Sequence, residues 1–250
     1  MRKQFLALAL AAVGLLFGAA QQTQADPVFF GPTPYTSSAN SPFNSVTFTY
    51  FHLENFEDNL LNTPGVAGTG VAIGPSSITD SVDADDGAID GSGLNGHSYF
   101  NGSGGTGITF TFNAAALGGS LPTHVGIVWT DGLNPITFEA FGPGGSSLGI
   151  FGPFNHADTT ITGGTGEDRF YGIFSSVGIS SINIRNGPAG GIEVDHLQYG
   201  QVSQQPPGAI PEPTTLLLLG TGLAGVVARV RRRRKVITVC TCSGTNRHNV

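Results

Sequence analysis

Through the middle of the chain, apolar side chains recur at every second position, in short runs broken by glycine, proline, asparagine and aspartate. Val46, Phe48 and Tyr50 alternate with Ser45, Thr47 and Thr49, and Ile108, Phe110 and Phe112 alternate with threonines in the same way. Val125, Ile127 and Trp129 share one parity, as do Ile136 and Phe138; further short runs are Leu148–Phe151, Arg169–Phe174, Ile179–Ile184 and Ile192–Tyr199. A period of two places alternate residues on one face of an extended strand, so each run buries one face only. Many short strands with frequent turn residues specify an all-β, antiparallel β-sandwich or jelly-roll domain. Only Ala114–Leu117 reads as a single helical turn.

One of these strands carries an irregularity. Ile192 and Val194 have one parity, whereas Leu197 and Tyr199 have the other. An extra residue at Asp195–His196, a β-bulge, would return both pairs to the core and re-aim the aspartate.

The two ends have a different character. Arg2 and Lys3 precede an apolar run, Phe5–Ala20, and Thr23-Gln24-Ala25 offers small residues for cleavage, with Ala20 as the alternative. Residues 1–25 therefore read as a signal peptide. Near the other end, Pro211, Glu212 and Pro213 are followed by an uncharged run, Thr214–Ala228, and then by Arg229 and the cluster Arg231, Arg232, Arg233, Arg234 and Lys235. Fifteen helical residues span about 22 Å against roughly 30 Å of hydrocarbon. Val230 lengthens the run and Arg229 reaches outward, which gives one short transmembrane helix over 214–230. The cationic cluster is a stop-transfer signal, placing 231–250 in the cytoplasm. Residues 204–213 form a proline-rich tether, and 26–203 form the domain outside. Cys240 and Cys242 lie beyond the cations, too close in sequence to bridge well and too few for a zinc site.

This ordered triplet, apolar run and basic cluster resembles the PEP-CTERM sorting signal of exported bacterial proteins. The resemblance implies that an exosortase, a membrane transpeptidase-like enzyme, cleaves near the motif and releases the protein to the cell surface or matrix. Such signals usually end just after the cations, whereas here Val236–Val250 follow.

Between the ends the charge is one-sided. Residues 26–209 hold sixteen acids, two arginines (Arg169 and Arg185) and no lysine, a formal charge of −14. Two arginines against sixteen acids cannot neutralise a run of phosphates, which argues against nucleic acid as a partner. The same stretch has no cysteine, so no disulfide supports it.

Three places hold candidate cation ligands. Five aspartates crowd into DSVDADDGAID (80–90), among them Asp83, Asp85 and Asp86, and such density suits either a solvated loop or Ca²⁺. The spacing departs from an EF-hand, since Gly87 falls where a ligand is needed. In GGTGEDRF (163–170), one copy of a GGxGxDxU calcium repeat would use Asp168, but a single copy reads better as a glycine turn entering a strand. The third place joins the domain's ends. FHLENFED (51–58) and GIEVDHLQYG (191–200) resemble the first and last strands of jelly-roll carbohydrate-binding modules, a likeness that implies Glu57 and Asp195 around a structural calcium.

His52, His97, His124, His156 and His196 lack zinc spacing and read as surface or hydrogen-bonding residues. Trp129 belongs to the core by its parity, while Tyr99, Tyr171 and Tyr199 are candidates for stacking on sugars. No nucleophile motif is present. Glu139 and Glu167 are the carboxylates a glycosidase reading would need, with a separation that sequence cannot supply. The expectation is thus a non-catalytic, carbohydrate- or calcium-binding surface module with polysaccharide, the membrane and a sorting enzyme as partners. A glycan-active hydrolase and a purely structural surface protein are the alternatives.

Overall fold

The computed structural model describes residues 27–158 and 160–202, together with Leu223. The expected signal peptide, tether, transmembrane helix and basic tail lie, apart from Leu223, outside the described residues. No helix among the described residues is long and apolar enough to cross a membrane.

Twelve strands are described: β1 (Val28–Pro34), β2 (Tyr50–Glu54), β3 (Val66–Gly68), β4 (Val71–Ile73), β5 (Ser98–Asn101), β6 (Ile108–Phe112), β7 (His124–Asp131), β8 (Ile136–Phe141), β9 (Ser147–Phe154), β10 (Arg169–Phe174), β11 (Ser181–Arg185) and β12 (Ile192–Gln201). They form two antiparallel sheets. The larger runs β1-β10-β7-β12-β5-β4, and β2 also pairs with β12; the smaller runs β3-β6-β11-β8-β9. Strand β12 is the axis of the larger sheet. One edge is shared by β5, along Ile192–Val194, and β2, along Leu197–Gln201, while β7 pairs along the other.

The sheets face each other across one core. Val125, Ile127, Trp129, Tyr171 and Val194 from the larger sheet meet Ile108, Phe110, Ile136, Phe138 and Ile182 from the smaller. These are the residues whose alternation marked the strands, and nearly all are fully buried. The bulge occurs where the parity breaks: the β12–β7 register slips between Asp195 and Gln198, and His196 takes a φ of 45°. Ile192, Val194, Leu197 and Tyr199 then all reach the same core.

A second, smaller cluster covers the outer face of the larger sheet. Phe170 and Val128 point outward there and are roofed by Tyr35, Phe43 and Val82. This explains why every residue of β7 is buried on both faces, not just alternately.

Local expectations differ in several places. Val46–Thr49 is not strand, because Pro42–Ser45 forms a 3-10 turn capped by Ser41 and the chain becomes extended only at Tyr50. Ala114–Leu117 is a single turn as expected, of the 3-10 kind and capped by the Asn113 side chain. Strand β1 lies outside the runs that alternation marks and carries Pro32 and Pro34; its position at the sheet edge and the slip between Phe30 and Thr33 accommodate them. Gly31, with a φ of 89°, sits so close to β10 that a Cβ would lie 2.0 Å from the Phe170 carbonyl oxygen.

Candidate functional site

The outer face of the larger sheet collects the acids. On β12, Glu193 and Asp195 have the parity opposite to Val194 and so point away from the core. The 76–94 loop lies over them and is held by its own amides. Asp80 N donates to Glu193 Oε2 at 2.7 Å, and Val82 N donates to Asp195 Oδ2 at 2.8 Å. The loop is also tied to the 163–165 turn, through Gly93 N to the Gly163 carbonyl at 2.9 Å and a bridge between Ser92 and Gly164.

Asp83 is turned inward within its own loop. Its Oδ1 accepts from the amides of Asp90, Gly91 and Ser92, which closes the loop around it. Asp86 accepts from Ala88 N and is more exposed. Asp85 reaches away from both, to His196.

The expected pairing of Glu57 with Asp195 is replaced by other partners for each. Glu57 accepts from His97 N at 2.6 Å and lies 3.4 Å from the His97 ring. Its neighbour Glu54 is the acid opposite Leu197, and it caps the amides of Phe56, Asn62 and Thr63. Asp195 instead accepts from Val82 N and His196 N and lies beside Asp85. The end-strand candidate and the loop candidate thus each contribute one acid to a common place.

Potential ligand atoms of Asp85, Asp195 and His196 lie within 4.8 Å of one another, the tightest such grouping among the described residues. They are already engaged. Ser41 Oγ donates to Gln198 Oε1, Gln198 Nε2 donates to Tyr35 Oη, and Tyr35 Oη is 2.9 Å from His196 Nδ1. His196 Nε2 is 2.8 Å from Asp85 Oδ2. With Gln198 donating to it, Tyr35 gives its proton to Nδ1, so Nε2 carries hydrogen and donates to Asp85. Burial, with the Asp85 charge next, holds the Asp195 carboxyl well above the usual carboxylate range.

A second group surrounds Asp168, in the turn leading into β10. Asp168 is fully buried and neither carboxylate oxygen has a hydrogen-bond partner among the described residues. Asp80 Oδ1 and Thr130 Oγ1 are likewise buried without a partner. Burial is the main cause raising these acids, and their mutual charge adds to it. Asp80 is pushed up to about 8, Glu193 to about 8, Glu167 to about 7 and Asp131 to about 6, while Asp168 is raised well above its ordinary value. Arg169 partly offsets Glu167, but no arginine charge is among the causes that shift Asp80, Asp168 or Glu193. Arg169 donates to the carbonyls of Gly166 and Asp168, and Arg185 pairs with Glu139 at 3.2 Å on the smaller sheet.

Asp131 and Glu193 are opposite one another in the β7–β12 register and line a cleft of about 260 Å³. Its apolar walls are Ile78, Phe100, Leu133 and Ile161, of which Ile78 and Ile161 are more than half exposed. The glycosidase pair is not assembled, because Glu139 sits in β8 of the smaller sheet and Glu167 in a turn beside the larger one. The tyrosines cannot stack on a sugar: Tyr99, Tyr171 and Tyr199 are core residues, as is Trp129, whose indole donates to Asn186 at 2.8 Å. Sequence reading missed Asp80, Asp131, Asp168 and Glu193 as a group. The signal available was their sequence spread over four segments with only two arginines between them.

The catalytic domain of a GH87 alpha-1,3-glucanase in complex with tetrasaccharides is similar at 17% identity and a TM-score of 0.32, covering 66% of this chain and 30% of that one. The chain thus spans about a third of that protein's length, and the likeness carries no argument about function. No curated protein matches the chain. The PEP-CTERM protein-sorting motif matches residues 209–233, the segment holding Pro211–Pro213 and the first arginines. The chain is therefore an exported protein that carries a PEP-CTERM sorting signal, is anchored transiently in the membrane and is passed by exosortase-type machinery to the surface or the extracellular space.

Proposed function

We propose that the sandwich is a non-catalytic surface module that binds carbohydrate at the cleft beside Asp131 and Glu193. The observation that supports this reading is the cleft's composition: apolar walls for the C–H faces of a sugar ring and two carboxyls for its hydroxyls. Its volume suits one sugar residue, such as a chain end, better than a long glycan. Phe51 is the one aromatic among the large exposed hydrophobic residues of the described chain, so recognition rests on the cleft and not on an aromatic platform.

A hydrolase is the second reading, and one observation favours it. Asp131, at about 6, and Glu193, at about 8, have different protonation states at neutral pH, which is the division of labour an acid–base pair needs. Two facts weigh against it. Glu193 is held by Asp80 N and Asp131 by Gly132 N, so each carboxyl is committed to a backbone amide.

A glycan-array screen of the full-length protein in detergent tests the proposal. Binding that is lost on Leu133→Asp or Ile161→Asp supports the cleft. Release of reducing sugar that is abolished by Asp131→Asn would replace it with the hydrolase, and no glycan retained would leave a structural surface protein.

A further inference from the structure

We propose that Asp80, Asp168 and Glu193, with the hydroxyl of Thr130, form a divalent-cation site of the calcium type between the 76–94 loop and the outer face of the larger sheet. The two readings share Glu193 but not their grounds: the ion would hold the fold whether or not a sugar binds.

The placement follows from register. Arg169 is paired with Trp129, so Asp168, one residue earlier, stands opposite Thr130. On the far side of β7, Glu193 is paired with Asp131, next to Thr130. The turn entering β10 and the end of β7, whose register with β12 slips just after Glu193, therefore bring Asp168, Thr130 and Glu193 to neighbouring places on the outer face, and the Asp80 N to Glu193 bond brings the loop's Asp80 beside them. Asp168 is the informative member. Both of its oxygens are buried without a partner, and the charges that act on it, Asp80 foremost, are all acids.

Leaving such a group unpaired is costly. A buried carboxyl without a partner is destabilising whether it keeps its charge or takes up a proton, and the acids beside it add to that. Neither arginine is available, as shown above, and the domain has no lysine. A cation resolves the conflict for every member at once. The donor set is oxygen only, carboxylate-rich and without histidine or cysteine, which selects a hard ion such as Ca²⁺ over Zn²⁺. Magnesium is the poorer fit, since it demands near-ideal octahedral geometry and dehydrates reluctantly.

The Asp85–Asp195–His196 group is the competing location, and its hydrogen bonds decide against it. The imidazole already donates to Asp85, and both Asp195 oxygens accept from amides. The acids around Asp168 stand further apart, so the ion draws the 76–94 loop onto the sheet as it binds.

The full-length protein in detergent is melted in calcium chloride, in magnesium chloride and in chelator, with the wild type beside Asp168→Asn, Asp80→Asn, Thr130→Val, Asp85→Asn and Asp86→Asn. At a hundredfold excess over Kd, calcium raises the wild-type Tm by about 5–10 °C, magnesium does less, and limited proteolysis within 76–94 slows. Asp168→Asn and Asp80→Asn lose most of that rise and Thr130→Val loses part, while Asp86→Asn keeps it. In chelator, Asp168→Asn melts no lower than the wild type, because an amide of the same shape replaces a buried carboxyl that has no partner there; a merely misfolded variant melts lower. Should Asp168→Asn not accumulate, Asp80→Asn and Thr130→Val carry the same comparison. Superposed wild-type curves in calcium and chelator overturn the proposal. So does a rise that survives Asp168→Asn and Asp80→Asn but vanishes in Asp85→Asn, which moves the ion to the Asp85–Asp195–His196 group.

Discussion

His196 Nε2 lies 2.8 Å from Asp85 Oδ2, although 111 residues separate the two in the chain. The contact exists because the bulge turns the His196 side chain to the outer face of β12 just where the Asp83–Asp86 turn comes to rest. Behind it the chain of donors continues through Tyr35 and Gln198 to Ser41, tying the last strand to the two segments that roof it.

Because every donor in that chain has one acceptor, removing a middle link leaves two buried groups unmatched. Tyr35→Phe strands both His196 Nδ1 and Gln198 Nε2 while conserving the ring that stacks on Phe170. The expected loss is about 2 kcal/mol, or a Tm lower by about 4–8 °C for a domain of this size. Thermal melting of the variant checks it, and an unchanged Tm would show that the buried chain contributes nothing net.

The core strands were legible because one face of each is buried and the other is polar, so parity carried the information. Residues 108–112, 136–141 and 169–174 needed nothing else. The bulge was legible for the same reason, as a break in parity between Val194 and Leu197. Strand β1 was not, because its prolines are tolerable only at a sheet edge, and being an edge is a property of the whole sheet. Nor was the start of β2, where Ser41 and Pro42 set a 3-10 turn ahead of an alternating stretch. The sorting signal was legible as an ordered local pattern. The acid-rich face was half legible: Asp85 and Asp195 were each singled out, but with other partners, since pairing them requires knowing that the loop folds over β12. Asp168 read as a turn residue, which it is; its burial comes from neighbours far away in sequence.

Space on the roofed face is exhausted at Gly126. A Cβ there would lie 2.3 Å from Phe170 Cζ, and Phe170 is itself packed against Tyr35 and Phe43. Gly126→Ala should therefore destabilise by about 1–3 kcal/mol, the usual range for overpacking. Gly166→Ala is the control, with nothing within 4 Å of its Cβ; it should stay within about 0.5 kcal/mol of the wild type. Chemical denaturation of both reads the difference. Equal midpoints would mean that Phe170 has room to move.

The sorting signal makes a prediction about covalent structure. Material released from the cell should lack Arg231–Lys235 and everything after them, with its new end near Pro211–Pro213. Intact-mass measurement of the released protein reads the end directly. A released species that retains Val250 would show that the segment serves as an anchor without being processed, with Val236–Val250 the first feature to delete.

His124 sets the last expectation, which concerns acid. Its ring is nearly fully buried, packed edge-on against Phe43 and Phe48 and against Phe174, with the Thr123 hydroxyl at 3.1 Å. Burial among these apolar groups holds it down to about 4, against an ordinary 6.5. The folded form thus resists a proton that the unfolded chain accepts, so the unfolded state binds more protons between these two values. Stability attributable to His124 is complete above pH 6.5 and is lost as pH falls towards 4, by about 3 kcal/mol at most. The raised acids of the outer face act in the opposite sense over part of this range, so the total slope is not the test. His124→Phe is. The substitution keeps an aromatic ring in an aromatic nest and removes the titration, so the wild type should lose stability relative to the variant steadily from pH 6.5 to 4. Above pH 7 their difference should be constant. Parallel stability–pH curves throughout would mean that the folded state admits the proton as readily as the unfolded chain does.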